Sequence, residues 1–267
     1  MKPYIKWAGG KNSVLNNTKK FFPPKYDTYI EPFLGGGAVL FGVAPKKAII
    51  SDINTSLINT YVLIRDDPSR LLNALGGLKD NITKESYMDV RNSFNSNPTE
   101  KSVEKAAEFI FLNKTCFNGL FRVNKKGEFN VPYGKRILNF DLDYVSNILE
   151  ISKYLNTNDV QILNQDFREV IKMASSNDML YLDPPYLVNP KSFTGYTSGG
   201  FTRHDYVDLI NHVGEAKVRG ANAVISNSMD DIEIFGSMNK NVIDRRTSIS
   251  GFSNVRIKSA EYVYTNF

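Results

Sequence analysis

Asp183, Pro184, Pro185 and Tyr186 stand in a row and form a corner rich in hydrogen-bond acceptors. Neither proline has an N–H, and the residue before each proline is pushed toward extended dihedrals. What remains is a carboxylate and carbonyls with hardly a donor beside them. A primary amino group has two N–H bonds to give. Asp183 and a neighbouring proline carbonyl can take both, while the ring of Tyr186 covers the flat heterocycle that bears the amine. The exocyclic amine of a base fits that description, with Asp183, Pro184 and Tyr186 as the catalytic candidates. The other reading of these residues is a strand that ends at a Pro-Pro turn with a tyrosine packed on it.

A second constellation lies in Tyr29-Ile-Glu-Pro-Phe-Leu-Gly-Gly-Gly-Ala-Val-Leu-Phe41, which reads as a strand, a glycine turn and a helix. The first turn of such a unit brings backbone N–H groups and a helix N-terminus close to a ligand. Against the dinucleotide pattern G-x-G-x-x-G, Gly35 and Gly37 match, but the third position is Leu40. A glycine there permits close helix-to-strand packing under a pyrophosphate, so a nicotinamide or flavin reading is weakened. The second strand, Ala48-Ile-Ile-Ser51, ends in Asp52, where an acid accepts hydrogen bonds from ribose hydroxyls. A ribose without a pyrophosphate is what S-adenosylmethionine offers. Upstream, Lys6-Trp-Ala-Gly-Gly-Lys11 holds the only tryptophan. Trp7 is suited to cover an adenine or ribose edge and Lys11 to meet a carboxylate; a surface turn is the alternative.

These groups need strands that end where the acceptors stand. Met179 to Leu182 is a short apolar run with an aromatic, the pattern of a strand buried on both faces. Val160-Gln-Ile-Leu163 reads as a strand leading to Asp166 and Phe167, and Ala223-Val-Ile225 as one leading to Ser226-Asn-Ser228. Thr202 with Asp205 forms a capping box that opens a helix to about Arg219. Strands near 241–249 and 260–265 form an antiparallel edge. Between the second and third strands the rhythm breaks. Leu57, Ile58, Tyr61, Val62 and Ile64, then Leu71, Leu72 and Leu75, then Val103, Ala106, Ala107, Ile110 and Phe111 recur at helical spacing. Residues 92–98 read as a loop and Lys125-Lys-Gly127 as a hairpin-like turn. The expected fold is α/β: a doubly wound, Rossmann-like sheet with an antiparallel edge, carrying an inserted, mainly helical domain with a β-hairpin. Its expected boundaries are 1–53 and 157–267 for the sheet domain and 54–156 for the insert.

At 267 residues and 42% hydrophobic content the chain can bury a proper core. No apolar run approaches the roughly 18 residues of a membrane span, and the first residues lead into no signal-peptide core. A cytoplasmic protein is expected. One cysteine, Cys116, excludes an internal disulfide, and two histidines, His204 and His212, make no zinc pattern. No metal is expected. Net charge is +5, and its distribution matters more than its sum. Residues 1–26 hold six lysines and no acid, and residues 113–136 hold six basic residues against Glu128. Without these two stretches the chain has 21 basic against 27 acidic residues. Two basic patches on an acidic body point to a polyanion laid across two surfaces, a solvated lysine face being the commoner origin of either patch alone.

Six pieces, in this order, resemble the DNA adenine N6-methyltransferases of the Dam type, the D12 class: residues 6–11, Glu-Pro-Phe-Leu-Gly-Gly-Gly (31–37), Asp-Ile-Asn (52–54), Phe-Asn-Gly-Leu-Phe-Arg (117–122), Gly-Glu-Phe-Asn-Val-Pro-Tyr-Gly (127–134) and Asp-Pro-Pro-Tyr (183–186). The resemblance implies that Trp7, Lys11, Phe33, Gly35, Asp52 and Asp183 line a site for S-adenosylmethionine, with Asp166 and Phe167 near its adenine. It implies that the insert recognises the target in double-stranded DNA. Arg122 would read a guanine, Leu120 and Pro132 would touch bases, and Lys6 would reach the other end of the site. Phe117, Asn118 and Asn130 join this surface through the same motifs, Phe117 as a wedge or stacking ring, and Lys114 joins it just before them, where the family often has an arginine and this chain has Lys114-Thr-Cys-Phe117. Methylation of adenine N6, commonly within GATC, by a monomer that flips the base out of the duplex is what the family leads one to expect. Cys116 has no Pro-Cys context and reads as a small hydrophobe. Two other readings use the same acceptor corner: methylation of RNA adenine or of a protein glutamine amide. A non-catalytic DNA-binding relative would be expected to have lost Asp183 or the glycine turn, and neither is lost.

Overall fold

Alternating apolar side chains decide how the strands stack. Tyr29, Ala48, Ile50, Met179, Tyr181, Val224 and Val263 point to one buried cluster, while Ile30, Leu180, Leu182, Ala223, Ile225 and Tyr264 point to another. Period-two alternation with both sets apolar requires a sheet covered on both faces. The computed structural model describes residues 1–7, 9, 15–80, 82–136, 138, 140–186, 200–227, 232–245 and 259–267.

The strands are β1 (Tyr29–Glu31), β2 (Lys47–Ser51), β3 (Asp159–Leu163), β4 (Met179–Leu182), β5 (Asn222–Asn227), β6 (Asn239–Arg245) and β7 (Ser259–Thr265). The helices are α1 (Leu15–Thr18), α2 (Ala38–Val43), α3 (Thr55–Asp66), α4 (Pro68–Gly77), α5 (Lys84–Ser96), α6 (Val103–Thr115), α7 (Leu142–Thr157), α8 (Phe167–Lys172), α9 (Arg203–Val218) and α10 (Ile232–Phe235). The seven strands run β3-β2-β1-β4-β5-β7-β6. Pairs among β1 to β5 are parallel, and β7 is antiparallel to both β5 and β6. The chain leaves β1 toward β2 on one side and returns to β4 on the other, so the order reverses between β1 and β4. In such sheets the crevice at the reversal, beyond the carboxyl ends of the strands, is where ligands bind.

Helices α3 to α7 occupy the interval between β2 and β3, as the helical spacing predicted. Asn54 caps α3, Asp67 caps α4 with Pro68 in its first turn, Thr83 forms a capping box on α5, and Ser102 and Asp141 cap α6 and α7. Their apolar faces share one continuous core with one face of the sheet. Helices α8, α9 and α10 cover the other face. The Thr202–Asp205 capping box opens α9 as expected.

Three expectations need correction. Residues 92–96 are not loop but the last turns of α5: Phe94 lies seven residues after Tyr87, both are buried, and a shared buried stripe outweighs the polar, turn-favouring composition around them. Strand β5 continues through Ser226 and Asn227, because both pair with β7. Strand β6 begins at Asn239, and its expected end at 246–249 lies outside the described residues. The inserted hairpin is minimal. It shows the single bridges Cys116 to Tyr133 and Val123 to Phe129 rather than a ladder, with Gly127 at φ 80° closing the turn after Lys126. Among the described residues no helix is long and apolar enough to cross a membrane.

Candidate active site

Four loops leave the carboxyl ends of β1, β2, β3 and β4, and they carry most of the catalytic and cofactor-binding candidates singled out from sequence. After β1, the segment from Leu34 to Gly37 closes a turn by the Gly37 N–H to Leu34 carbonyl bond (2.9 Å). Gly35 and Gly37 have φ of 50° and 69°, where glycine is free of the Cβ penalty. The turn is also packed tight. A Cβ on Gly35 would lie 2.6 Å from Trp7 Cδ1, and the Tyr61 hydroxyl donates to the Gly35 carbonyl at 3.0 Å. After β2, the Asp52 carboxylate accepts the N–H of Gly35 (3.0 Å) and of Asn54 (2.9 Å). The Ile53 N–H adds a third backbone donor, and a carboxylate with about four acceptor sites keeps room for a ligand hydroxyl. Burial pushes this carboxyl up to about 6 against those backbone donors.

Trp7 spans the distance between the turn and the insert. Its ring stacks on Phe121 at 5.5 Å and 17° and lies 6.3 Å from Phe109. Lys11 lies outside the described residues. Phe33 stacks on Phe167 at 5.3 Å, and Phe201 closes on both, giving an aromatic wall beside the turn. Asp166 caps α8 through the Arg168 N–H and also pairs with the Arg168 guanidinium (3.2 Å). That guanidinium binds Asp205 and Asp208 and lies 4.5 Å over the Phe167 ring.

After β4 comes the acceptor corner, with Pro184 buried and Asp183, Pro185 and Tyr186 half-buried. The Pro185 carbonyl is occupied, accepting the Tyr206 hydroxyl at 3.0 Å. The Pro184 carbonyl accepts no hydrogen bond from any described residue. One residue here escaped the sequence reading: Glu31, the last residue of β1, is only 2% exposed. Burial pushes its carboxyl up to about 8, with Asp183 and Asp52 adding to the rise, while the Tyr29 hydroxyl (2.8 Å) and the Leu40 N–H oppose it. An acid ending an apolar strand just before a glycine turn was the available signal. Among the described residues no group of three His, Cys, Asp or Glu side chains is placed to hold a metal ion.

The basic stretch forms a second surface around the loop that follows α6. Phe117 and Leu120 are 54% and 39% exposed, which is unusual for side chains so apolar next to a core. Asn118 sits between them at φ 57°. Lys6 joins them, because a Cβ on Gly119 would lie 2.6 Å from Lys6 Cδ. The buried Asn113 side chain fixes this contact: it accepts the Lys6 N–H (3.0 Å) and donates to the carbonyls of Lys6 (2.8 Å) and Gly119 (3.4 Å). Lys114 lies 4.4 Å over the Tyr144 ring, and burial, then the charge of Lys6, holds its ammonium down to about 8. Exposed Arg122 donates its Nε to Asn130 Oδ1 at 2.8 Å, which fixes the plane of its guanidinium. The Pro132 carbonyl accepts the Phe117 N–H (2.9 Å), and Gly134 lets the hairpin exit press against the Cys116 carbonyl. Cys116 itself is buried, and burial pushes its thiol up to about 11, as suits a packing residue.

A doubly wound sheet with an acceptor corner and a glycine turn at its reversal is a Rossmann-like arrangement with its ligand crevice at that point. Comparison with known proteins narrows this to a family. Residues 7–253 match the family model of the D12 class N6 adenine-specific DNA methyltransferases. The type II methyltransferase M1.LlaDCHI of Lactococcus lactis subsp. cremoris is 36% identical, over 100% of this chain and 96% of its own. M.MjaIII of Methanocaldococcus jannaschii is 41% identical over 89% and 88%, and a DNA adenine methylase of Vibrio cholerae is 31% identical over 84% and 80%. The chain belongs to the D12 class of N6 adenine-specific DNA methyltransferases.

Proposed function

We propose that this adenine-specific DNA methyltransferase takes its methyl group from S-adenosylmethionine and delivers it to the N6 of an adenine flipped out of duplex DNA within GATC, acting as a monomer in the cytoplasm. Residues 54–156 are its target recognition region. The chemistry of the donor set supports the cofactor. Glu31, Asp52 and Asp183 crowd one crevice: burial raises both Glu31 and Asp52 against their hydrogen bonds, and the charges of Asp183 and Asp52 raise Glu31 further, with no cation of a described residue among the causes. A ligand that brings positive charge and ribose hydroxyls relieves both demands. S-adenosylmethionine, when bound, supplies a sulfonium methyl and has an ammonium and a ribose; Asp52 would take the ribose hydroxyls, and Phe33, Phe167 and Trp7 would flank its flat parts.

The observation that carries the reaction is the pairing, at the reversal of the sheet, of Asp183 with a Pro184 carbonyl that accepts no hydrogen bond from a described residue. The lone pair of adenine N6 is delocalised into the ring, which makes the amine a poor nucleophile. Asp183 and the Pro184 carbonyl each accept one N–H, favour a more tetrahedral nitrogen, and hold its lone pair in line; positioning and electrostatics then supply much of the acceleration. The Tyr186 ring covers the flipped base. On the duplex, Arg122, with its plane set by Asn130, meets a guanine edge. Phe117, Leu120, Asn118 and Pro132 face the bases near the extruded one, and Lys6 and Lys114 add positive charge beside them.

The test is plasmid DNA methylated by the purified protein and digested with nucleases that do and do not tolerate N6-methylated GATC. Protection confined to the methylation-sensitive nuclease is expected. Full cleavage by both, with methyl groups found elsewhere in the DNA, would reject GATC, and methylation of RNA or protein alone would reject duplex DNA.

A further inference from the structure

An Asp-Pro-Pro corner has no N–H at either proline with which to anchor itself, so its carbonyls must be fixed from outside. Tyr206 does this from α9. Its hydroxyl donates to the Pro185 carbonyl at 3.0 Å, and its oxygen accepts from Asn227 Nδ2, in the last position of β5, at 2.7 Å. The polarity of this relay is set at its far end. An amide nitrogen can only donate, so the Tyr206 oxygen is an acceptor toward Asn227 and its own proton is directed at Pro185. The ring cannot turn away, being fully buried with Phe201 edge-on at 4.9 Å and Phe235 edge-on at 6.0 Å. Burial, with a smaller contribution from the charge of Asp183, raises the phenol well above its ordinary range, so it keeps its proton at any working pH.

The consequence falls on the choice of acceptor. Held by Tyr206, the Pro185 carbonyl is directed toward α9, and the corner carbonyl that accepts no hydrogen bond from a described residue is that of Pro184, next to the Asp183 carboxylate. A loose corner could offer the Pro185 oxygen instead, and an amine bound there would hold its lone pair off the line of attack. We propose that Tyr206, braced by Asn227, is a positioning residue for methyl transfer, reserving Pro184 and Asp183 for the two N–H bonds of the target amine. This rests on the reading of the corner as an amine-binding site.

The experiment compares Tyr206→Phe, Asn227→Ala and the double variant with wild type, using the full chain, duplex DNA and labelled S-adenosylmethionine. Removing one hydroxyl leaves the ring packing in place. The single-turnover transfer rate of Tyr206→Phe at saturating DNA and cofactor is expected to fall about 10- to 100-fold, the scale of a misplaced reacting group. Dissociation constants for DNA and cofactor should stay within about twofold, which a loss of transition-state positioning alone leaves untouched. Asn227→Ala should slow transfer in the same sense, and the double variant should be no slower than Tyr206→Phe, because the two side chains act through one contact. A wild-type rate in Tyr206→Phe, additive losses in the double variant, or a loss that only follows a smaller folded fraction would overturn the proposal. Should Tyr206→Phe fail to fold, an unchanged rate in Asn227→Ala overturns it as well. Wild-type protein inactive on adenine in duplex DNA would instead reject the reading of the corner, so the two failures are distinct.

Discussion

Replacing Glu31 by glutamine should change how stability depends on pH. In the folded chain the Glu31 carboxyl is pushed up to about 8 from an ordinary value of 4.5, chiefly by burial. A carboxyl raised in this way keeps its proton in the native state over a range in which the unfolded chain has already lost it. The unfolding free energy therefore falls as pH climbs from about 4.5 to about 8 and levels off above that. Each pH unit in that window is worth about 1.4 kcal/mol, so the whole effect is on the order of 4–5 kcal/mol. Glutamine has nearly the shape of the protonated acid. Its oxygen can accept the Leu40 N–H and its amide can meet the Tyr29 hydroxyl, the two partners that Glu31 has. It has no proton to lose. Urea unfolding of Glu31→Gln and wild type, followed by circular dichroism from about pH 5 to about pH 9, should give a difference in unfolding free energy that grows by about 4 kcal/mol in favour of the variant. Taking the difference cancels titrations common to both proteins, including Lys114, whose ammonium is held down to about 8. A gap that stays constant with pH would show that Glu31 is ionised in the native state, and the argument for a crowded, charge-hungry crevice would go with it.

Three further outcomes follow from the site. Asp183→Ala is expected to keep its circular dichroism spectrum and lose measurable methyl transfer; near-normal transfer from labelled cofactor would remove Asp183 from the chemistry. Asp52→Ala should weaken S-adenosylmethionine binding by about 1–3 kcal/mol in calorimetry, the range for hydrogen bonds to a charged group, and unchanged affinity would move the cofactor elsewhere. Arg122→Ala should lower discrimination against a substituted guanine by about 1–3 kcal/mol, whereas Lys125→Ala or Lys126→Ala should weaken binding on all sequences and flatten its salt dependence. If Arg122→Ala slows every duplex equally and reduces the salt slope, it contacts phosphate and Lys6 becomes the next candidate for readout.

The sheet was legible because its strands alternate cleanly and end at residues of unusual chemistry. Asp52, Asp166 and Asp183 each stand within a few residues of the end of a parallel strand, and the Thr202–Asp205 capping box located α9. Local signals failed where packing outweighed composition. The polar residues 92–96 stay helical because Phe94 is buried and because Asn95 grips the hairpin, accepting the Phe129 N–H (2.8 Å) and donating to its carbonyl (3.0 Å). Pairings over long sequence separations were out of reach altogether. Tyr206 and Asn227 meet the corner from 21 residues apart, and neither residue type announces a partner in advance. The commitment of Asp166 to Arg168 was likewise hidden, since an acid at a helix start reads the same whether its outer oxygen faces a ligand or a guanidinium.

The grip of Asn113 on both Lys6 and Gly119, with Trp7 laid between Gly35 and Phe121, bears on how specificity could be redesigned. Transplanting residues 54–156 from a relative would bring a foreign asparagine clamp and a foreign aromatic face against a native leader segment. The graft and its host would then meet across a mismatched seam running from the Phe117–Leu120 loop to the glycine turn. These contacts tie residues 1–7 to the loop after α6, although more than a hundred positions separate Lys6 from Asn113 along the chain. A chimera that carries both segments keeps that seam intact, and its cut points then fall before β1, after β2 and before β3.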